Sequence, residues 1–460
     1  MNYSLAQLFQ DLAASKYDTL SIQLETNGVM IASLQNELNK RAKGRHDDKS
    51  LEKLVQMQKF YDGKWTRFNM LIISFLQYCR DVDPWSLWHS CDLIFNFYQS
   101  LTNCLLNDTY PIDKLVRIFR SHTEYVIPLA MRLDYYYASI GTKRYQLLSF
   151  VSSVISRLFN SIKRFEGSDS PPAKHEILLY IVNKLNNIYF RIESPQLCSN
   201  IFNNFRPKSV AHFTQYPVKE QIEYRYLLGR YYLMNNRITN AFVQLNAAYH
   251  QLSIVSHRVH SDYMPQLRRN MIRILTYLIP TGLMMGKLPR FELVRSLDRE
   301  MAEKYAQLAR HVRAGSIKGL NIWLRDHESE LRERDLLLLL LEKLPMVTYR
   351  FLIRAVVQSF VTAQDSGRLP YNVVETAMQV SIGHQQGELS IYETIHRAQN
   401  LENVLVTLIN LGFLRGNCFP LLKTCVVKKT HHLQDIMPPI EDRVIQSFPL
   451  NADDAWLDES

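Results

Sequence analysis

The stretch Tyr224–Tyr249 constrains the fold most, because small and large side chains alternate along it at the spacing of two closely packed antiparallel helices. Leu228, Gly229, Tyr232, Ala241, Leu245 and Ala248 are the expected hairpin-packing positions. The small residues let the two helices approach, and the large ones fill the groove between them. Leu185, Tyr189, Cys198 and Phe202 repeat the spacing less faithfully in the preceding block. An ordinary helical bundle could produce one such match. Two in series predict a short right-handed stack of hairpins.

Helical periodicity extends well beyond the hairpins. Leu5, Leu8, Phe9 and Leu12 form an i, i+3, i+4, i+7 stripe, as do Ile94, Phe97, Tyr98 and Leu101. With 25 Tyr and 21 Phe against 15 Gly, packing surface is plentiful and sharp turns are few. That balance favours helices over a sandwich or barrel. The 460 residues predict roughly two to four compact units, and 47% apolar with 21% charged residues excludes wholesale disorder. The strongest apolar run, Leu336–Leu341, falls far short of the ~20 residues a spanning helix needs, so no membrane insertion is expected. Met1–Leu5 lacks a basic lead and does not read as a signal peptide. The six cysteines include no C-x-x-C pair and read as reduced, buried thiols of a cytosolic or nuclear protein, which makes the Asn107–Thr109 sequon a chance match.

The pattern divides the chain into an N-terminal helical region (1–165), a Gly/Ser/Pro linker (166–173), a helical-repeat region (174–344), a further domain (345–432) and a tail (433–460). Arg41–Lys49 reads as a polar loop. Helices are expected at 271–285, 301–314, 317–326 and 331–344. The domain that follows predicts helices over 348–361 and 370–380, and a third capped by Asn400 and ended by Gly412. Segments 413–419, with a Gly-Asn turn, and 422–427 predict a β-hairpin. Three helices and a two-stranded wing describe a winged helix. The fold class is therefore mainly α, with tandem tetratricopeptide-like helical repeats followed by a C-terminal winged helix with a small β-hairpin. The acidic tail, ending Asn451–Ser460, is expected to be loose.

A search for catalytic chemistry yields no candidate. Gly282–Leu288 resembles a phosphate loop but lacks one spacer residue, and Leu288 stands where a Ser or Thr must bind Mg²⁺. Cys418, Cys425, His431 and His432 lack the paired spacing of structural zinc sites. His257 and His260 are close together, but no carboxylate-and-water arrangement follows from them, and they read as surface or partly packed residues. The expectation is a non-enzyme with no catalytic residue, metal or cofactor.

Charge is more informative. Residues 268–432 carry 23 Lys/Arg against 15 Asp/Glu, so most of the formal +10 lies there. The third helix of the winged helix presents Glu402, Asn403, Thr407 and Asn410, a poor surface for reading base edges. The candidate nucleic-acid contacts are Arg350 and Arg354 on the first helix, Arg415 at the wing turn, and Lys423, Lys428 and Lys429 on and after the second strand. Such residues favour sequence-independent, salt-sensitive phosphate contacts with RNA and DNA. A domain that docks only protein explains the same charge equally well.

Helical hairpins running into a winged helix are the layout of PCI-domain proteins. Asp81–Trp85 (DVDPW), Asn183–Ile192 (NKLNNIYFRI), Tyr226–Tyr232 (YLLGRYY), Leu341–Arg350 (LEKLPMVTYR) and Glu402–Gly412 (ENVLVTLINLG) resemble the yeast-type PCI subunit of the nuclear-pore-associated transcription and export complex, TREX-two. The resemblance spans nearly the whole chain. It implies a non-catalytic scaffold in the nucleus, at the nuclear envelope and nuclear pores, coupling transcription to mRNA export. It also implies a large GANP-like PCI scaffold partner with an adjacent winged helix, a small acidic Sem-type partner, and indirect links to nuclear pore components. The alternative is a PCI subunit of a proteasome-lid, signalosome or translation-initiation assembly that acts only through protein contacts.

Overall fold

The computed structural model describes residues 3–42, 48–86, 88–107, 109–163, 172–205, 213–361, 367–383, 400–428, 430 and 432–458. The chain forms two compact units, Met1–Glu220 and Gln221–Leu457, with Asp458 and the residues after it grouped with the first. Most of the expected loop at 41–49 and linker at 166–173 lies outside the described residues.

The first unit is helical: α1 (Leu5–Ala13), α2 (Leu24–Ala42), α3 (Asp48–Met57), α4 (Thr66–Asp81), α5 (Cys91–Leu105), α6 (Asp113–Ser139), α7 (Gln146–Lys163), α8 (Pro172–Arg191) and α9 (Gln196–Asn204), with the first turn of α10 (Val218–Met234). Ser4 and Gln7 start α1 with a reciprocal capping box. The predicted stripe of Leu5, Leu8, Phe9 and Leu12 is the buried face of that helix. Asp134 caps α7 from α6, its two carboxylate oxygens accepting from the Leu147 and Leu148 amides at 2.9 Å each. Glu220 is buried, and its carboxylate is satisfied by Arg120 at 3.0 Å and by the Asn183 amide at 3.1 Å. Leu185, Tyr189, Cys198 and Phe202 are all buried on α8 and α9.

The second unit takes the rest of α10 together with α11 (Ile238–Ser256), α12 (Met264–Met284), α13 (Phe291–Leu297), α14 (Arg299–Arg313), α15 (Ile317–Asp326), α16 (Glu328–Glu333) and α17 (Leu337–Val356). Leu228, Tyr232, Ala241, Leu245 and Ala248 are buried in the α10–α11 hairpin. Gly229 faces Ala241 and Leu245 from α10, and a Cβ added there would stand 2.6 Å from Leu245 Cγ. Arg225 joins the two helices through a 3.0 Å bond to Gln244. Gly282, Met284 and Met285 are buried at the end of α12, so the phosphate-loop look-alike is helix core. The helices expected at 331–344 and 348–361 merge over much of their length, because α17 continues through Pro345 and into a π turn at Val357–Val361. Pro345 is buried, and tertiary packing holds the helix across a residue that would end an exposed one.

The winged helix completes this unit with β1 (Arg368–Pro370), α18 (Tyr371–Ile382), α19 (Leu401–Asn410), β2 (Gly416–Phe419) and β3 (Thr424–Val427). The sheet is antiparallel with order β1-β3-β2, and Cys418 pairs with Cys425 across β2 and β3. The expected two-strand wing thus gains a third strand, Arg368–Pro370. Gly412, at φ +72°, ends α19 as its sequence position predicts. The Gly-Asn pair is not the turn, since Gly416 and Asn417 lie within β2 and the reversal runs through Pro420–Leu422.

The C-terminal segment is not loose. After α20 (Leu433–Ile436) and α21 (Ile440–Ser447), residues 449–457 run back along the α10–α11 hairpin. Tyr232 donates to Asp454 at 2.6 Å, Arg225 donates to the Leu457 carbonyl at 2.7 Å, and Leu457 is only 1% exposed. Trp456 meets the Tyr224 ring edge-on. Aromatic and arginine partners on the hairpin hold an otherwise polar segment. Among the described residues, no helix is long and apolar enough to cross a membrane.

Candidate nucleic-acid interface

The winged helix builds its surface from α17, α19 and the three-stranded sheet. Arg354, on the last turn of α17, is exposed. Arg415 is exposed where the chain enters β2, with its amide anchored to the Ile436 carbonyl at 2.8 Å, so it flanks the wing and does not sit at its turn. Lys423 occupies the turn itself in the left-handed region, at φ +46°, and is exposed. Its carbonyl accepts from the Tyr371 amide at 2.9 Å, which fixes the wing against the start of α18. Lys428 is exposed beyond β3 and pairs with Asp435 at 3.3 Å. This lysine holds the Asp435 carboxyl below its ordinary range. Lys429 lies outside the described residues.

Arg350 departs from the expected set. It is 5% exposed, and its guanidinium donates to the Met437 and Pro438 carbonyls at 3.4 and 2.7 Å. Burial, reinforced by the nearby Arg354 charge, pushes its pKa down to about 10. Arg350 is therefore a structural clamp between α17 and the segment after α20, and it offers nothing to a phosphate. Burial hid this role from the sequence, since Arg350 and Arg354 are four residues apart and read as one basic face.

The exposed face of α19 carries Glu402, Asn403, Val406 and Asn410, with Thr407 half-buried and donating to its own helix. No cation stands on it. Two features are not visible in the sequence pattern. Arg368 is exposed on β1. The wing tip is apolar, with Phe419, Leu422 and Leu421 exposed at 44, 74 and 100%. The only hint of Arg368 is a three-residue strand too short to show alternation.

The cysteines form no built centre. Cys418 and Cys425 are free thiols facing each other across the sheet, and burial pushes Cys425 up to about 12. Among the described residues no group of three His, Cys, Asp or Glu side chains could hold a metal ion.

Helical hairpins delivering a winged helix define a PCI-domain protein. No family model matches the chain. It is 49% identical over 461 aligned residues to nuclear mRNA export protein THP1 of Saccharomyces cerevisiae, covering 98% of this chain and 99% of that one. It is 23% identical to a PCI domain-containing protein of Schizosaccharomyces pombe over 80% of each chain. PCI domain-containing protein 2 of Danio rerio is 26% identical over 57% of each. The chain belongs to the family of nuclear mRNA export protein THP1.

Proposed function

We propose that this chain is a non-catalytic scaffold of nuclear mRNA export that contributes half of a non-specific nucleic-acid surface through its winged helix. Its 49% identity to nuclear mRNA export protein THP1 over nearly the full length of both chains carries the export role. The placement of charge supports the nucleic-acid role. Arg354, Arg415, Lys423 and Lys428 are exposed around the wing and the end of α17, whereas α19 lacks any basic residue. Side chains so placed suit phosphates and not base edges. With Arg350 buried and Lys428 partly neutralised by Asp435, the free positive surface is small. A second winged helix from a large GANP-like PCI subunit would complete it. A small acidic Sem-type subunit against the helical repeats, nuclear localisation and attachment at nuclear pores belong to the same reading.

The test is binding of fluorescent RNA and duplex DNA to the chain, alone and with its scaffold partner, across salt concentrations. Little binding is expected from the chain alone. With the partner, affinity should fall steeply as salt rises, and Arg415→Glu or Lys423→Glu should each lower the salt slope by about one. Salt-independent or absent binding by the complex would leave only the protein-docking reading.

A further inference from the structure

We propose that the outer face and tip of the wing bind unpaired nucleobases, with Phe419 as the ring on which a base stacks, so that single strands gain a contact that duplexes lack. This rests on the nucleic-acid role proposed above and concerns the part of the ligand that cations do not touch. The strand pairing sets the two faces of the sheet. Leu369, Cys425 and Val427 alternate inward and are buried. The opposite face carries Asn417 and Phe419 of β2, Val426 of β3 and Arg368 of β1. Phe419 is 44% exposed there.

Beyond Phe419 the chain reverses through Pro420–Leu422, where the Leu421 and Leu422 side chains stand in solvent. Two backbone bonds fix this tip. The Lys423 amide donates to the Pro420 carbonyl at 3.1 Å, and the Lys423 carbonyl accepts from the Tyr371 amide at 2.9 Å. A tip already set in place loses little freedom when it binds. The charge around it is positive. Lys423 follows Leu422 directly and is exposed. Arg368 lies on the same face as Phe419, two strands across and two residues along, which strand spacing and rise put at about 12 Å between backbones. Arg415 is exposed just before β2 begins.

Cations beside an isolated flat ring select an anionic ligand that also carries flat apolar faces. A single strand of nucleic acid has both, with phosphates for Lys423, Arg368 and Arg415 and bases for Phe419. In a duplex each base face is covered by its neighbours, so only an unpaired strand can offer one to the ring. Leu421 and Leu422 extend the apolar contact at the tip, toward the next base or its sugar. A protein partner fits the outer face less well. Asn417 and Arg368 interrupt its apolar area, and Lys423 adjoins the tip, so no broad continuous patch is formed.

Fluorescence anisotropy of the chain in complex with its scaffold partner tests this with three labelled probes of equal length: oligothymidylate, its abasic counterpart and a blunt DNA duplex. The abasic strand keeps every phosphate and lacks the bases, so it isolates the stacking contact. Oligothymidylate should bind about fivefold or more tighter than the abasic strand. Phe419→Ala should remove most of that advantage, and Leu421→Ser with Leu422→Ser should reduce it severalfold. Neither change removes a cation, so the salt slope and duplex binding should stay as they were. Lys423→Glu should instead weaken all three probes and lower the slope. Phe419→Trp should retain the preference, and Phe419→Leu reads the same contact should the alanine variant unfold. Equal binding of oligothymidylate and its abasic counterpart, or full oligothymidylate binding by Phe419→Ala, overturns this inference and leaves the phosphate surface standing. Loss of the scaffold partner from the tip variants would overturn it in favour of a wing that docks protein. Failure of the complex to bind any probe would sink the nucleic-acid role itself, and this inference with it.

Discussion

Replacing Gly229 with alanine adds a single methyl group at a position where two opposing effects can be sized from the structure. In an open helix the change stabilises by about 1 kcal/mol, because glycine is the more flexible residue in the unfolded chain. In the α10–α11 hairpin the new Cβ would lie 2.6 Å from Leu245 Cγ, 2.9 Å from Leu245 Cδ2 and 3.4 Å from the Ala241 carbonyl oxygen. Leu245 is fully buried, and its Cγ is not the free end of a flexible chain, so helix separation or a strained rotamer must absorb the overlap. Overpacking of this kind costs about 1–3 kcal/mol, which outweighs the propensity gain, and Gly229→Leu should be worse. Gly28 is the internal control: it lies in α2 with nothing within 4 Å of its Cβ position, so Gly28→Ala should stabilise. Thermal melting of both variants, followed by calorimetry, should give shifts of opposite sign. Leu245→Ala in the Gly229→Ala background should then cost less than in the parent, with a coupling of ~0.5–3 kcal/mol between the two sites. If Gly229→Ala stabilises like Gly28→Ala, or the two changes at 229 and 245 simply add, the close approach of α10 and α11 at this point is refuted.

Arg350→Ala should lower the melting temperature, since it abandons two buried carbonyls at roughly 1–3 kcal/mol each, and should leave the salt slope of nucleic-acid binding unchanged. Leu457→Ala should cost ~2–5 kcal/mol, measured by denaturant unfolding; a loose tail would show no change. His122 gives a pH signature, because burial pushes its pKa from 6.5 down to about 4. Its ring accepts from the Ile22 amide at 3.3 Å and bonds the Ile118 carbonyl at 2.8 Å, an arrangement only the neutral ring provides. The unfolded chain takes up the proton first, so this contribution is complete above pH ~6.5 and is lost as pH falls toward 4, amounting to about 3 kcal/mol. His122→Gln should flatten the pH dependence of the melting temperature across that window.

The hairpin was legible because its determinants are local: Gly229, Ala241 and Ala248 stand in register with Leu228, Tyr232 and Leu245 along one short stretch. The winged helix was legible in outline, since Gly412 and the β-branched residues Thr424, Val426 and Val427 mark their own roles. What failed depended on distant partners. Arg350 reads as a surface cation until Met437 and Pro438 arrive to accept its protons. Pro345 reads as a helix end until packing carries α17 through it. The segment 449–457 reads as solvated because Trp456 and Leu457 are isolated hydrophobes in an acidic run, and the hairpin they cover lies far upstream. At the proposed nucleic-acid surface, charge was visible in the sequence but exposure was not.

The bond from Arg225 to the Leu457 carbonyl spans 232 positions of chain. Contacts of such long range are slow to form, because closure of the intervening loop must precede any gain from them. During synthesis the α10–α11 hairpin emerges from the ribosome long before residues 449–457 can cover it. Throughout that interval Tyr224, Arg225 and Tyr232 lack the partners that complete them, and a truncated chain would keep this face open permanently. The closing strap thus makes burial of this face the last step of the unit: only a chain translated through Leu457 covers Tyr224, Arg225 and Tyr232.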